Sequence, residues 1–326
     1  MNLARRSFVG IVGAMVFAAA TGVSAQAWPT KPIKLIAPFP PGSSIDIIAR
    51  LLADPMGAAL GQPIVVENKV GAGGNVGVDA VVKSPKDGYT IGIGARGPLA
   101  INPFLVDNMP YDPIKDVAPI AIFGSSAIVL WVNADVGAKT LQDFLAQAKA
   151  NPGKLNYASD GIGTTNHLGG EALKSATHVD IVHVPYKGTQ EALTALLQGD
   201  VQIFPAGLPP LVGQWKAGKI RPIATSMKAR DAQLPDVPTT VELGIAGAEM
   251  YAWFAMFAPA GTPPEILAKI RDALGTALAK PEVRDKLVSL GITPQLSTPQ
   301  EMVKLVADEQ AKWGPVIKAS KSMKTN

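Results

Sequence analysis

Two glycine-rich loops in this chain contain the residue types that bind anions. Residues 39–46 read FPPGSSID, and residues 159–165 read SDGIGTT. In both places an apolar run is followed by small and hydroxyl-bearing residues and then by helical spacing, which predicts that each loop leads into a helix N-terminus. The first N–H groups of a helix lack internal partners and carry the positive end of its dipole, so they attract a carboxylate or phosphate. The pair of loops therefore predicts one anion held between two parts of the molecule.

The first loop divides its tasks among a few residues, although an ordinary capped turn explains this loop equally well on its own. Gly42 lets the backbone come close to a ligand, while the prolines stiffen the approach. Ser43 and Ser44 are predicted to cap the helix and to offer hydroxyls. Asp46 is predicted to complement the helix dipole or to fix the loop, because like charges disfavour its contact with a carboxylate. The candidate ligand contacts here are Phe39, Pro41, Gly42, Ser43, Ser44 and Asp46.

The second loop offers hydroxyls and free N–H groups where the next helix begins. Its candidate ligand contacts are Ser159, Gly163, Thr164 and Thr165. His167 and Glu171 follow at a spacing of four residues, but a zinc site needs a third protein ligand and none is evident. A structural histidine is therefore favoured, and no metal is expected. The sequence also lacks the G-x-S-x-G and H-E-x-x-H patterns of hydrolases, so we expect no catalysis.

Arg96 is a further candidate, because a guanidinium at the end of a strand could bind a second carboxylate with two hydrogen bonds. A solvent-facing arginine is the alternative. Residues 92–97 read GIGARG, which formally matches the G-x-G-x-x-G pattern, but the match comes late in the chain and runs into Pro98, so we expect no dinucleotide cofactor. The remaining candidates, which follow two later strands, are Tyr186, Pro205 and Ala206.

The elements that must position these loops alternate between short apolar strands and amphipathic helices, which predicts an α/β fold with largely parallel sheets. We expect two lobes joined by two crossing segments at a hinge. Lobe 1 is predicted to comprise residues 28–125 and 248–326, and lobe 2 residues 126–247. Thr262 and Thr298 are each followed by proline and, three residues on, by glutamate, which predicts capping boxes for the last helices.

Residues 1–27 form a separate unit with a basic start, an apolar stretch and small residues for cleavage near Ala25 or Ala27. We interpret this unit as an export signal, too short to span a membrane, with the general secretory route favoured over the twin-arginine route. The formal net charge of +4 falls to +2 without the two arginines of this unit. The other basic residues are scattered, so no nucleic acid is expected as a partner. The chain has no cysteine, so its cores alone must stabilise it.

Taken in order, segments of the mature chain resemble the Bug proteins, the periplasmic solute receptors of tripartite tricarboxylate transporters. These segments include WPTKPIKLIAPFPPG at 28–42, VENKVGAGGNVG at 66–77, NYASDGIGTTNHLGGE at 156–171, VPYKGTQEAL at 184–193 and LPDVPTTVELG at 234–244. The resemblance implies a periplasmic-binding-protein fold, a two-lobed Venus flytrap that closes on a small organic acid. It also implies that main-chain amides, hydroxyls and ordered water in the two loops hold the carboxylate of the ligand.

The chain departs from the family pattern at three positions. Ser43 stands where the family has the second of two glycines, and Arg96 stands where small polar residues are common. Pro205 replaces a residue that is often acidic, which would turn the cleft away from amino-bearing ligands. The resemblance thus implies a periplasmic receptor, expected to be a monomer, that captures a dicarboxylate or an aromatic acid for uptake.

Two other functions remain open from the sequence. The same cleft could serve a ligand sensor for a membrane signalling protein, which would differ only in what the closed lobes touch. An exported hydrolase or lyase is the other alternative. It would require His167 or His183 within hydrogen-bond reach of Ser159 or Ser43, together with a shifted pKa in the cleft.

Overall fold

The computed structural model describes residues 28–135 and 138–319, so the expected export signal, residues 1–27, lies outside the described residues. The strands are β1 (Ile33–Ala37), β2 (Ile64–Asn68), β3 (Thr90–Ala95), β4 (Val117–Ala127), β5 (Val129–Asn133), β6 (Leu155–Ser159), β7 (Ile181–Pro185), β8 (Phe204–Ala206), β9 (Ile220–Thr225), β10 (Tyr251–Pro259) and β11 (Ile292–Pro294). The helices are α1 (Ser44–Leu60), α2 (Asn75–Val82), α3 (Leu141–Ala150), α4 (Thr165–Thr177), α5 (Thr189–Gln198), α6 (Val212–Lys216), α7 (Pro264–Ala279), α8 (Pro281–Ser289) and α9 (Pro299–Ala319). Within these described ranges, no helix combines the length and apolarity that crossing a membrane requires.

Lobe 1 is built on a six-stranded sheet in the order β11-β4-β10-β3-β1-β2. β1 runs parallel to β2 and β3, whereas β10 is antiparallel to β3 and β4. The central strands of a sheet of this kind are buried on both faces because helices cover them. α1 and α7 pack on one face, and α2 and α9 pack on the other. The carboxyl end of β1 leads through residues 38–43 into α1, which is where open α/β sheets bind ligands.

Lobe 2 contains a three-stranded sheet in the order β8-β5-β9 and a parallel pair, β6-β7. The N–H of Ala158 donates to the carbonyl of Ile203 at 2.9 Å, which joins the two sheets edge to edge. α4 follows the carboxyl end of β6, and α5 follows that of β7. The second loop therefore occupies in lobe 2 the same position that the first loop occupies in lobe 1.

The chain crosses between the lobes twice, as predicted. Ile128 alone separates β4 from β5, and residues 226–250 return the chain from β9 to β10. Ser226 connects the two crossings, because its N–H donates to the carbonyl of Ile128 at 2.9 Å and its hydroxyl lies between the carbonyls of Ile128 and Met250. Trp131 and Trp253 are fully buried on either side of this junction. The hinge is therefore narrow and well packed.

The last helix, α9, is anchored to lobe 1 by a buried ion pair. Nη2 of Arg96 lies 2.6 Å from Oε1 of Glu309, and both side chains are almost completely buried. The guanidinium also lies over the ring of Tyr251, with 4.8 Å between its central carbon and the ring centroid. The expectation that Arg96 meets a ligand carboxylate is therefore wrong in this structure, because its charge is already paired behind the sheet.

We expect Arg96→Met to destabilise the protein by about 3–5 kcal/mol, because it leaves Glu309 buried without a cation. The double variant Arg96→Met with Glu309→Met should be markedly less destabilised, since no unpaired charge remains. Chemical denaturation of the wild type, both single variants and the double variant gives the free energies of unfolding. Equal losses in the single and double variants would contradict this account.

Candidate ligand-binding site

The N-termini of α1 and α4 meet at one small cavity of about 50 Å³. Ser43 is the N-cap of α1 and accepts from the N–H of Asp46 at 3.3 Å, and Thr164 is the N-cap of α4 and accepts from the N–H of His167 at 3.3 Å. The predicted loop residues that line this cavity are Phe39, Ser43, Ser44, Thr164 and Thr165. The structure thus brings the two loops to a shared space between the lobes, where both helix dipoles favour an anion.

Asp46 fixes the first loop, which is one of its two predicted roles. Its Oδ2 accepts from the N–H of Gly42 at 2.9 Å, and its Oδ1 accepts from Arg50 and Asn68 at 3.0 and 2.9 Å. Burial alone would raise the pKa of Asp46, but the hydrogen bonds from Arg50, Gly42 and Asn68 outweigh it and hold that pKa below its ordinary value. Gly42 has a φ of +80°, a conformation that favours glycine. Asp46 is therefore an anion turned into its own loop, and it lines no ligand cavity.

The second loop is fixed by its own hydroxyls and by a histidine. Oγ1 of Thr164 donates to the carbonyl of Gly161 at 2.8 Å, and the N–H of Gly163 donates to Nδ1 of His167 at 3.2 Å. Gly163 has a φ of +78°. Ser159 is fully buried and its hydroxyl lies 2.7 Å from Nε2 of His183. The side chain of Ser159 therefore supports the loop from behind and does not line the cavity.

The buried rings of His167 and Tyr157 stack with the half-buried ring of His183 beneath the second loop. The centroids of the two imidazole rings are 4.1 Å apart, and the ring of His183 lies 4.8 Å from that of Tyr157. Burial lowers the pKa of His167 to about 4 and that of His183 to about 3. Both rings are therefore neutral near pH 7 and act as packing groups. In the described ranges no three His, Cys, Asp or Glu side chains gather as a metal site would need.

The pair of Ser159 and His183 meets the distance that the hydrolase alternative requires. Its surroundings do not suit a nucleophile, since Ser159 has no exposed surface and also contacts the carbonyl of Gly161 at 3.1 Å. Among the described residues, no acidic side chain hydrogen-bonds to His183, so the third group that would orient a catalytic base is not seen. The geometry fits a structural role for this pair.

A second, larger cleft of about 570 Å³ lies beside the small cavity. Its walls are mainly apolar and include Pro38, Phe39, Val70, Leu105, Ile162 and Tyr186. Tyr186 therefore faces the cleft as the sequence predicted. Pro41 is exposed and lines neither space. This arrangement provides a small polar end for an anionic group and a broad apolar space for the rest of a molecule.

Pro205 and Ala206 were predicted to contact the ligand, but they line neither the small cavity nor the larger cleft. They belong to β8, where Pro205 pairs with Leu130 and the carbonyl of Ala206 accepts from Nε1 of Trp131 at 3.2 Å. Gly207, the next residue, lines the small cavity instead. The structure thus shifts the predicted wall by one or two residues, because Pro205 and Ala206 still pair within β8 and only the residue after the strand faces the cavity.

Asp160 is the residue that the sequence analysis missed. It lines both the small cavity and the larger cleft, and Oγ1 of Thr189 donates to its Oδ2 at 3.1 Å. Asp160 lies within the second predicted loop, but it was not among the predicted ligand contacts. Its position between Ser159 and Gly161, inside the predicted anion loop, was the signal that could have identified it as a candidate.

The two lobes touch along a seam that depends on glycine. A Cβ at Gly97 would lie 2.6 Å from the carbonyl oxygen of Gly163, and one at Gly73 would lie 2.5 Å from that of Ile162. Nε2 of Gln190 in α5 donates across the seam to the carbonyl of Gly42 at 3.2 Å. These contacts describe a closed arrangement in which backbone from one lobe rests on backbone from the other.

We expect Gly97→Ala to hinder closure while leaving each lobe folded, because its methyl group would collide with the backbone of lobe 2 across the seam. Small-angle X-ray scattering of the variant should give a larger radius of gyration than the wild type. Gly213→Ala is a matched control, because a Cβ at Gly213 meets nothing within 4 Å. An unchanged radius in Gly97→Ala would contradict the role assigned to this seam.

Acidification should destabilise the protein through the buried histidines. Their folded pKa values of about 4 and about 3 lie below the ordinary value of 6.5, so the unfolded chain takes up protons first. The stabilisation is complete above about pH 6.5 and is lost as the pH falls through about 4 and about 3. The loss amounts to a few kcal/mol for each histidine, since each pKa unit corresponds to about 1.4 kcal/mol. Denaturation across this range measures it. His183→Asn should reduce the slope, whereas His178→Asn, at an exposed histidine, should not.

Comparison with known proteins identifies the family. A family model described as the tripartite tricarboxylate transporter family receptor matches residues 48–321. Protein BugT of Bordetella pertussis is 35% identical over 321 residues, which cover 98% of each chain. Among solved structures, R. palustris Rpa4515 with adipate has a TM-score of 0.86 at 35% identity, over 89% of this chain and 97% of that chain.

Two other solved structures are similar over the same extent. MatC from Rhodopseudomonas palustris with bound malate has a TM-score of 0.84 at 32% identity, over 89% of this chain and 100% of that chain. The periplasmic binding protein BugD has a TM-score of 0.85 at 31% identity, over 89% and 98%. The resemblance drawn from the sequence is confirmed. With its closed cleft between two α/β lobes, the chain belongs to the receptor family of tripartite tricarboxylate transporters and is a solute-binding receptor of that family.

Proposed function

We propose that this receptor captures a small organic acid in the periplasm and presents it to a membrane transporter. The observation that carries the proposal is the convergence of two helix N-termini, one from each lobe, on a single small cavity. Unpaired N–H groups and hydroxyls from opposite lobes would hold the carboxylate of the acid. Binding would then stabilise the closed form, because only that form brings both sets of donors to the same anion.

The apolar cleft indicates what the rest of the acid is like. Its walls suit a hydrocarbon chain or an aromatic ring, which is consistent with a dicarboxylate with a methylene chain or with an aromatic acid. Two similar structures hold adipate and malate, and these ligands support an organic acid as the cargo here. The solved relatives are periplasmic binding proteins, which supports the same compartment for this chain.

The expected affinity follows from the number of donors. Each hydrogen bond to a charged group contributes about 1.5–3 kcal/mol, so four of them give about 6–12 kcal/mol before the costs of association. Those costs are several kcal/mol, and burial of the apolar part of the ligand offsets some of them. We therefore expect a micromolar dissociation constant, which corresponds to a binding free energy of about −8 kcal/mol.

We further propose that the moving bodies are residues 28–125 with 248–326 and residues 126–247. The division of the sheets supports this proposal, since β1–β4, β10 and β11 share one sheet and β5–β9 form the other two. Rotation about Ile128 and the return crossing would separate the two helix N-termini and open the cleft. A receptor of this kind is proposed to act as a monomer without catalysis.

Isothermal titration with adipate, malate, benzoate and phenylacetate tests the proposal directly. We expect micromolar binding of at least one acid, and no binding of glucose or putrescine as neutral and cationic controls. Tight binding of either control with no binding of any acid would reject a carboxylate receptor. Uptake of the bound acid by cells, compared with induction of genes by the same acid, then separates transport from sensing.

Ser44→Ala should weaken binding of the preferred acid by about 10-fold to about 100-fold, because it removes one hydroxyl that can donate to the carboxylate. Ser44 lines the small cavity, and its hydroxyl bonds to no other group in the described part of the chain. The stability of the variant should be unchanged. Ser175→Ala, at an exposed serine of α4, serves as the control. Equal affinities in both variants would remove Ser44 from the site.

A further inference from the structure

Asp160 occupies a particular place in the receptor. It lines both the small cavity and the apolar cleft, and Phe39 from the opposite lobe is the other residue common to both. These two side chains therefore mark the passage through which a ligand with a carboxylate in the small cavity extends into the cleft. Any carboxylate held there lies beside that of Asp160.

The surroundings of Asp160 stabilise the ionised form of its carboxyl group poorly. Its Oδ2 accepts from the hydroxyl of Thr189, while its Oδ1 is enclosed with no hydrogen-bond partner of good geometry in the described residues. No lysine or arginine in those residues forms an ion pair with it. An ionised carboxylate left in this condition is costly, whereas a neutral carboxylic acid is tolerated.

The side chains that hydrogen-bond near Asp160 are uncharged. α4 presents Thr164 and Asn166, and α5 presents Thr189. The loop after β7 lines the cleft with Tyr186 and with the exposed Lys187, whose ammonium group forms no ion pair with Asp160 in the described ranges.

On the remaining sides the titratable groups are neutral or turned elsewhere. His167 and His183 are neutral rings behind Ser159, and lobe 1 faces Asp160 with Phe39 and Ser43. Asp46 is turned into its own loop. Burial raises the pKa of Asp160, and the hydroxyls and amide around it only partly oppose that rise.

We propose that Asp160 binds the ligand in its neutral form and shares its proton with the carboxylate that the two helix N-termini hold. The inference rests on the proposed function and makes it more specific. Two carboxylates confined side by side do not both ionise, so one proton must reside between them. Asp160 then donates a hydrogen bond to the anion.

The pH dependence of adipate binding tests the proposal, because adipate carries neither an amino nor a hydroxyl group. Between about pH 6.5 and about pH 9 both carboxyl groups of adipate are ionised, and His167 and His183 stay neutral. The affinity of the wild type should fall by up to about 10-fold per pH unit once the pH exceeds the pKa of free Asp160. Asp160→Asn cannot release a proton, so the slope should be lost, whereas Asp180→Asn, at an exposed carboxylate of lobe 2, should keep it.

A second measurement does not depend on the variant. Calorimetric titration of the wild type in two buffers with different ionisation enthalpies should reveal proton uptake with adipate that rises toward one proton at the alkaline end. An affinity that does not change with pH, with no proton uptake, would overturn the proposal. Loss of adipate binding by folded Asp160→Asn at low pH would also overturn it, because the ionised carboxylate would then be required. If adipate binds to neither protein at any pH, the result counts against adipate as a ligand of the proposed receptor and removes this inference with it.

Discussion

The structure depends on one electrostatic requirement, which is that the unpaired N–H groups at the starts of α1 and α4 converge on the same small volume. Each helix contributes a partial positive charge there. Parallel strands β1 and β6 deliver the two helices to that place, because the carboxyl ends of such strands open toward the cleft. Lobe closure is then the act that completes the site.

Two aspartates in the two loops illustrate how local surroundings assign a role to the same side chain. Asp46 accepts three hydrogen bonds, one of them from a cation, and is held as an anion that fixes its own loop. Asp160 accepts one hydrogen bond, from the hydroxyl of Thr189, and desolvation of its carboxyl group raises its pKa. The first stabilises a backbone conformation, and the second is exposed to whatever enters the cleft. The chain thus keeps fixed negative charge away from the space that is meant for an anion.

Local sequence patterns predicted the loops and most helix starts. Contacts with residues distant in the sequence could not be predicted in this way. The box at Thr298 is confirmed by its reciprocal bonds with Glu301, whereas Thr262 turns its hydroxyl to Pro259 and caps nothing, because two prolines in succession restrict the backbone there. The loops and helix starts were predictable from spacing. The partner of Arg96 was not, because it lies on α9, more than two hundred residues away along the chain. Such tertiary contacts decide whether a side chain at the end of a strand faces the ligand cleft or the core.

The anchoring of α9 by its buried ion pair has a practical consequence. Although α9 follows all of lobe 2 in the sequence, it belongs mechanically to the other body. The chain has no cysteine, so thiols engineered on the exposed faces of α9 and α3 would be the only ones to accept a fluorophore. A donor dye on one helix and an acceptor dye on the other would report the rotation of the two bodies as a change of energy transfer, and single receptors could be followed as they open and close.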